Sequence, residues 1–301
     1  KKLNQIKISN NIDKILKNKN SKLLAIRDLY YENNYIYISI VEEETRGATI
    51  NIYRAKKNFN NLDFELFFET LEFKNNYTLQ TGGRIEKFRG NEILFSIGFF
   101  NNYDDPQKAD NLLGKVIAID KITKSHRLIS LGHRNPQGLS FLENNNLVIN
   151  TEHGPKGGDE INFNFLSDNR LKNFGWPISS YGKPYPGTEK IYIDKGLLKT
   201  THAENGFEEP IKYYVPSIGI SELVTIEDNP QNNLVNTLHV SSLRANSIYI
   251  IKVSKGFKKI LTQDRIYISN NRIRDIKYDK ESNNFFLILE NVPAIGVIKI
   301  S

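Results

Sequence analysis

Several arginines lie beside predicted strand ends, where their side chains could bind an anion. Arg272 and Arg274 are two residues apart on a predicted strand, so both side chains should point to one face. Converging guanidinium groups repel one another unless an anion lies among them, and their planar forks bind carboxylates bidentately. The pattern fits an anionic ligand such as a carboxylate, and it fits an ion-pair network with Glu152 and Asp275 equally well. The arginines concerned are Arg134, Arg244, Arg272 and Arg274.

A glycine-rich stretch could offer oxygen ligands to a hard cation. Gly154-Pro155 and Gly157-Gly158 predict a tight turn with exposed backbone carbonyls, and Asp159 and Glu160 add carboxylates nearby. Ca²⁺ takes oxygen ligands of both kinds. The alternative is an ordinary Gly-Pro turn with acidic neighbours, which is a common arrangement.

Other kinds of chemistry lack their motifs. The chain has no Cys, which excludes disulfides and thiolate metal sites. Its five histidines show no zinc-type spacing, although His133 and His153 lie in the motif stretches, and the sequence has no nucleophile elbow, dinucleotide-binding glycines or P-loop. The formal net charge is +7, but no dense basic run alternates with aromatic residues, so nucleic acid is not expected as a partner. No apolar run approaches the ~18 residues of a membrane span.

The apolar pattern predicts short strands separated by turns rich in Asn, Asp and Gly. A unit of strand, polar turn and strand recurs five times, mostly at intervals of about 50–60 residues, the scale of a four-stranded propeller blade. We therefore predict an all-β fold, with one β-propeller domain over residues 1–301. A sandwich of hairpins is the alternative. The region from Asp13 to Lys22 could hold one or two helical turns.

Three further motifs carry a family resemblance. They are Gly-His-Arg-Asn-Pro-Gln-Gly-Leu at 132–139, Glu-His-Gly-Pro at 152–155 continued by Gly-Gly-Asp-Glu-Ile-Asn at 157–162, and Phe-Gly-Trp-Pro at 174–177. From about Leu23 onward, the chain resembles the soluble pyrroloquinoline quinone (PQQ)-dependent glucose and aldose sugar dehydrogenases. The resemblance implies a six-bladed β-propeller, a small-molecule sugar substrate, and PQQ and Ca²⁺ as cofactors.

The resemblance also assigns site residues. Gly154 and Pro155 would hold the Ca²⁺ next to PQQ through their backbone carbonyls, whereas Glu160 and the carbonyl of Phe174 match a second, structural Ca²⁺ site. Arg244 stands where the family usually has Lys, which is also a cation. The residues expected to contact PQQ are Arg134, Asn135, Arg244, Arg272 and Arg274.

The expected mechanism is oxidation at the anomeric carbon of a sugar, in which a His takes the hydroxyl proton while hydride passes to the quinone. Here Gln80 occupies the position of that His, and no His precedes His126. An amide is not a useful base near neutral pH, and general-base catalysis is typically worth ~10²–10⁴-fold. A non-catalytic propeller that binds a sugar, a quinone or a protein partner is therefore the alternative. A lactonase-like Ca²⁺ propeller would leave the arginines unexplained.

The resemblance implies six blades, whereas the sequence displays five repeats. The five visible units, and a start without Met, lead us to expect a six-bladed propeller whose first blade is incomplete here, with a five-bladed ring as the alternative. A Gln that the family places near the substrate appears replaced by Asn20 in a loose alignment. Family resemblance alone suggests a periplasmic or secreted location. It does not identify the sugar or the electron acceptor.

Overall fold

Alternating β-branched and aromatic residues form strands along most of the computed structural model, which describes residues 7–75, 79–226, 236–268 and 270–299. Residues 1–4 and Thr78, which opens the Gln80 stretch, lie outside these ranges. The chain divides into two compact units, Lys1–Ile129 and Ser130–Ser301. None of the helices in the described ranges is long and apolar enough to cross a membrane.

The first unit contains two blade-like sheets. The strand order of one sheet is β2-β3-β4-β6, and that of the other is β7-β8-β9-β10. The strand β1 pairs separately with β5. The helix α1 overlaps the region Asp13 to Lys22, where one or two helical turns were expected, and begins one residue before it. Its Ile12 and Leu16 are buried against the first sheet. The elements are β1 (Ser9–Asn10), α1 (Ile12–Asn18), β2 (Lys22–Glu32), β3 (Tyr35–Glu44), β4 (Gly47–Lys56), β5 (Asn61–Leu62), β6 (Glu65–Glu69), β7 (Gly82–Lys87), β8 (Glu92–Ile97), β9 (Lys115–Asp120) and β10 (His126–Leu131), whose last two residues belong to the second unit.

The second unit contains three such sheets. Their strand orders are β11-β12-β13-β15, β16-β17-β18-β19 and β20-β21-β22, and β14 pairs in parallel with the end of β10. The elements are β11 (Pro136–Leu142), β12 (Leu147–Glu152), β13 (Asp159–Phe165), β14 (Lys172–Asn173), α2 (Glu189–Asp194), β15 (Lys212–Tyr214), β16 (Ile220–Ile226), β17 (Asn236–Ser242), β18 (Ser247–Val253), β19 (Ile260–Tyr267), β20 (Ile273–Asp279), β21 (Asn284–Leu289) and β22 (Ala294–Lys299).

Each unit has its own hydrophobic core. Inner strands such as β8 and β12 are buried over nearly their whole length, because both faces of a blade pack against other elements. Burial of such side chains is the main favourable term in folding. In the first unit the core includes Ile50, Ile93, Phe95, Ile117 and Ile119. In the second it includes Ile149, Ile161, Leu238, Val240 and Ile251.

A β-bulge interrupts the first strand of each of the five sheets. A bulge bends its strand and redirects the side chains there. The register shifts lie between Ile26 and Asp28, Gly82 and Ile85, Pro136 and Gly138, Ile220 and Leu223, and Ile273 and Asp275. Polar side chains occupy these bulges in every repeat, namely Arg27, Arg84, Gln137, Glu222 and Arg274.

Hydrogen bonds between first strands hold neighbouring blades of the second unit in register. Glu222 Oε1 accepts the Leu139 N–H at 3.2 Å, and Ser221 Oγ donates to the Arg274 carbonyl at 2.5 Å. The first strands β11, β16 and β20 are thereby fixed relative to one another. These hydrogen bonds therefore also fix the position of the motif residues just before β11 relative to the arginines at the start of β20.

Candidate functional site

Arg272 and Arg274 share one carboxylate at the start of β20. Arg272 Nε lies 2.8 Å from Glu290 Oε2, and Arg274 Nε lies 2.5 Å from Glu290 Oε1. The expectation that both arginines point to one face is confirmed. Burial opposes ionisation of Glu290, but the two guanidiniums outweigh it and lower its pKa. An ion pair therefore exists here, with Glu290 as the shared partner.

A row of polar side chains joins these arginines to the motif before β11. Arg274 Nη1 donates to Gln137 Oε1 at 3.2 Å, and Gln137 Nε2 donates to Asn135 Oδ1 at 3.1 Å. We call Asn135, Gln137, Arg274, Glu290 and Arg272 the polar row. Sequence reasoning had not assigned Gln137 or Glu290, although Gln137 lies inside a recognised motif and Glu290 follows the apolar end of β21.

Arg134 is held by backbone and aromatic contacts. Its Nη1 donates to the His153 carbonyl at 3.0 Å, and its guanidinium lies 5.1 Å from the ring centroid of Trp176, a cation–π contact. Glu152 accepts the backbone N–H of Arg134 at 2.7 Å. Glu152 therefore positions the segment that carries Arg134.

Arg244 makes no side-chain contact with the polar row. Its side chain is exposed, and it makes no hydrogen bond or ion pair with any residue in the described ranges. Its backbone N–H binds the Ile218 carbonyl at 3.0 Å. A role for Arg244 in cofactor binding stays a prediction.

The Gly154-Pro155 stretch forms the predicted tight turn. Gly157 and Gly158 have φ of 88° and 69°, and a Cβ on Gly154 would lie 2.2 Å from the Gly158 carbonyl oxygen. Asp159 Oδ1 accepts the Gly154 N–H at 3.3 Å, and Tyr185 donates its hydroxyl to the Pro155 carbonyl at 3.3 Å. The carbonyl oxygens of Gly157 and Gly158 therefore pack against Gly154, where a side chain would not fit.

Alanine at Gly158 should be costly for this reason. Its Cβ would lie 2.3 Å from the Gly182 backbone nitrogen, in a left-handed conformation. We expect Gly158→Ala to lower the free energy of unfolding by more than about 2 kcal/mol. Gly187 is the matched control, because its φ is +85° but nothing lies within 4 Å of its added Cβ. Gly187→Ala should cost about 1 kcal/mol. Urea denaturation measures both, and equal losses would contradict the steric explanation.

Two buried histidines and two buried carboxylates lie behind this turn. His133 Nδ1 is 3.0 Å from Glu152 Oε1, and His202 Nε2 is 3.0 Å from Glu160 Oε1. Asn162 Nδ2 bridges the carboxylates, at 2.7 Å from Glu152 and 3.4 Å from Glu160. This network satisfies carboxylates that would otherwise be costly to bury.

The ends of the network are hydroxyl groups and an aromatic ring. Ser130 Oγ lies 2.7 Å from His133 Nε2, and Ser179 Oγ lies 2.7 Å from His202 Nδ1. Phe174 stacks on His133 with ring centroids 5.0 Å apart. His202 had not stood out in the sequence, and only the fold shows that it meets Glu160.

The pKa values follow from these contacts. Burial opposes ionisation of Glu152, but the charge and hydrogen bond of His133 lower its pKa. Burial raises the pKa of Glu160. Burial opposes protonation of His202, but the hydrogen bond to Glu160 raises its pKa.

Arg134, Glu152, Glu160 and His202 help to line a cavity of about 10 Å³, enough for one water. In the described ranges, no three His, Cys, Asp or Glu residues cluster as metal ligands would.

Gln80 lies in the first unit, just before β7, and is half-buried. Its backbone carbonyl accepts the Phe100 N–H at 3.2 Å. Its side-chain Oε1 is buried and has no hydrogen-bond partner among the described residues. Gln80 therefore places a buried amide, and not a base, at this position.

Comparison with known proteins decides the family. The family model described as glucose/sorbosone dehydrogenase matches residues 7–294. The chain belongs to this family. It is 28% identical over 235 residues to aldose sugar dehydrogenase YliI of Escherichia coli K12, and 46% identical over 212 residues to quinoprotein glucose dehydrogenase B of Acinetobacter calcoaceticus. These matches cover 73% and 54% of this chain, and the chain spans 59% and 42% of the two relatives' lengths.

Solved structures show the same fold. A glucose dehydrogenase crystal structure matches with a TM-score of 0.75 at 21% identity, covering 92% of this chain and 82% of that one. The PQQ-bound form of an aldose sugar dehydrogenase from Streptomyces coelicolor matches with a TM-score of 0.61 at 17% identity, covering 88% and 72%. The predicted all-β propeller fold is confirmed, with five blades in the described ranges. The sixth blade stays a prediction.

Proposed function

We propose that this chain binds PQQ together with Ca²⁺ and oxidises the anomeric hydroxyl of an aldose sugar. The polar row is the observation that carries the proposal. It brings two guanidiniums and two amides from different blades together at one place, and guanidiniums suit the carboxylates of a polycarboxylate ligand. Membership of the sugar dehydrogenase family supports the same ligand class.

The charges of the row suit an anionic cofactor. Arg272 and Arg274 contribute two positive charges to the row, and their shared partner Glu290 contributes one negative charge. Their side chains are 43% and 31% exposed, so an incoming ligand can reach them. Asn135 would add an amide contact, and Arg134 a further cation beside the same motif.

The backbone carbonyls of Gly154 and Pro155 would supply oxygen ligands to a hard cation. When bound, PQQ supplies the quinone that accepts a hydride, and Ca²⁺ polarises that quinone. The chain's own residues would orient the cofactor through the polar row. The Gln80 amide cannot remove the proton of a sugar hydroxyl, because an amide is not a useful base near neutral pH.

The absence of a His at position 80 favours a second candidate function. A propeller with the cofactor site but without His at position 80 could bind a sugar, a quinone or a protein partner without turnover. Reconstitution with PQQ and Ca²⁺, followed by dye reduction with a panel of aldoses, separates the two candidates. Turnover supports the dehydrogenase, cofactor binding without turnover supports the binding protein, and no cofactor binding contradicts both cofactor-based proposals. A periplasmic or secreted location remains an expectation from the resemblance.

A further inference from the structure

The Glu160 carboxylate is held by nitrogen donors where the resemblance places a structural calcium ligand. His202 Nε2 lies 3.0 Å from Oε1, and Asn162 Nδ2 lies 3.4 Å from Oε2. A carboxylate accepts hydrogen bonds from such groups, whereas Ca²⁺ takes 6–8 oxygen ligands. The donors around this carboxylate therefore do not fit the metal.

The His202 ring also packs against the other half of the expected metal site. That half is the backbone at Phe174, and a Cβ on the next residue, Gly175, would lie 2.6 Å from His202 Nδ1. Ser179 holds the same Nδ1 through its hydroxyl at 2.7 Å. The ring is fixed at both nitrogens, and it lies between Glu160 and the Phe174–Gly175 backbone.

Little space remains for the rest of a calcium coordination sphere. His202 is 1% exposed and Glu160 is 6% exposed. The cavity beside them is about 10 Å³, which is enough for one water. Glu160 and one backbone carbonyl supply only part of the 6–8 oxygen ligands of Ca²⁺, and this cavity has no room for the several waters that would have to supply the rest. We infer that His202 takes the place of the structural calcium ion, so that hydrogen bonds hold this part of the second unit without metal.

The inference also explains how the loop after α2 is anchored. The backbone N–H groups of Asn205 and Phe207 both donate to the His202 carbonyl, at 3.0 Å each. Glu209 Oε1 accepts the Ala203 N–H at 2.6 Å. One buried side chain thus fixes a short turn to β13. The inference is independent of sugar oxidation, because it concerns stability of the chain without PQQ.

Melting of the native chain without PQQ, in EDTA, MgCl₂ or CaCl₂, tests the inference, with Glu160→Gln as the comparison. We expect any effect of CaCl₂ to be the same in both proteins, since the Glu160 site takes no metal. A rise of several degrees that is specific to CaCl₂ and is lost in Glu160→Gln would overturn the inference. If that variant does not fold, calcium-soaked crystals of the native chain decide: an ion within bonding distance of Glu160 overturns the inference, and its absence there supports it.

Variants at position 202 supply the second arm. His202→Ala leaves a buried carboxylate without its donor, and we expect the melting temperature to fall by roughly 4–10 °C. His202→Gln keeps an N–H donor and should recover part of that loss. His126→Ala is the control, because His126 is exposed. Equal melting of His202→Ala and His126→Ala would overturn the inference.

Discussion

Replacing Gln80 by His is expected to raise sugar-dependent dye reduction by about 10²–10⁴-fold in protein loaded with PQQ and Ca²⁺. The reason is that imidazole titrates near neutral pH and can accept the hydroxyl proton, which the Gln80 amide cannot. The change should appear mainly in kcat, because proton removal belongs to the chemical step. Steady-state kinetics with the best aldose of the panel measures it.

Gln80→Asn is the matched control, since it keeps an amide and should leave the rate unchanged or lower. Both variants should bind PQQ as the native chain does, which separates a failure of chemistry from a failure of cofactor loading. A Gln80→His protein that binds PQQ but gains no rate would contradict the assignment of position 80 as the place of the base.

Removing both arginines of the polar row should weaken PQQ binding by about 10²–10⁴-fold, since hydrogen bonds to charged groups are worth about 1.5–3 kcal/mol each. The variant is Arg272→Met/Arg274→Met, which keeps an apolar stem of similar length. Arg274→Met alone should cost about 10–100-fold. Titration of the apoprotein, followed by absorbance or calorimetry, gives the dissociation constants.

Arg170 supplies the control for these variants. It also forms an ion pair, 2.9 Å from Asp168, but its side chain is 68% exposed and outside the polar row. Arg170→Met should leave PQQ affinity unchanged. If it weakened binding as much as Arg274→Met does, the effect would reflect net charge and not the row.

The strands could be predicted because their signal is local. The alternation in segments such as Tyr35–Glu44 specifies a strand wherever it lies in the fold. The repeated bulges could not be predicted, because a register shift depends on two strands and appears in neither alone. Those bulges redirect Gln137 and Arg274, and so they decide which polar side chains meet.

Spacing in the sequence indicated which arginines lie together, but it could not indicate partners that are distant in the chain. Arg272 and Arg274 were assigned to one face by their spacing, whereas Glu290 meets them only because β20 and β21 pair. His202 reaches Glu160 from a loop 42 residues away, and no local pattern marks it. The expectation for Arg244 came from an aligned position, and its exposed side chain contacts none of the row.

A crystal structure of the chain grown with PQQ and CaCl₂ tests the cofactor site most directly. Density for the quinone carboxylates should lie within hydrogen-bonding distance of Arg272, Arg274 and Asn135, with a cation at the carbonyls of Gly154 and Pro155. A bound quinone elsewhere on the molecule, with Glu290 still bound to the two arginines, would contradict the proposed site.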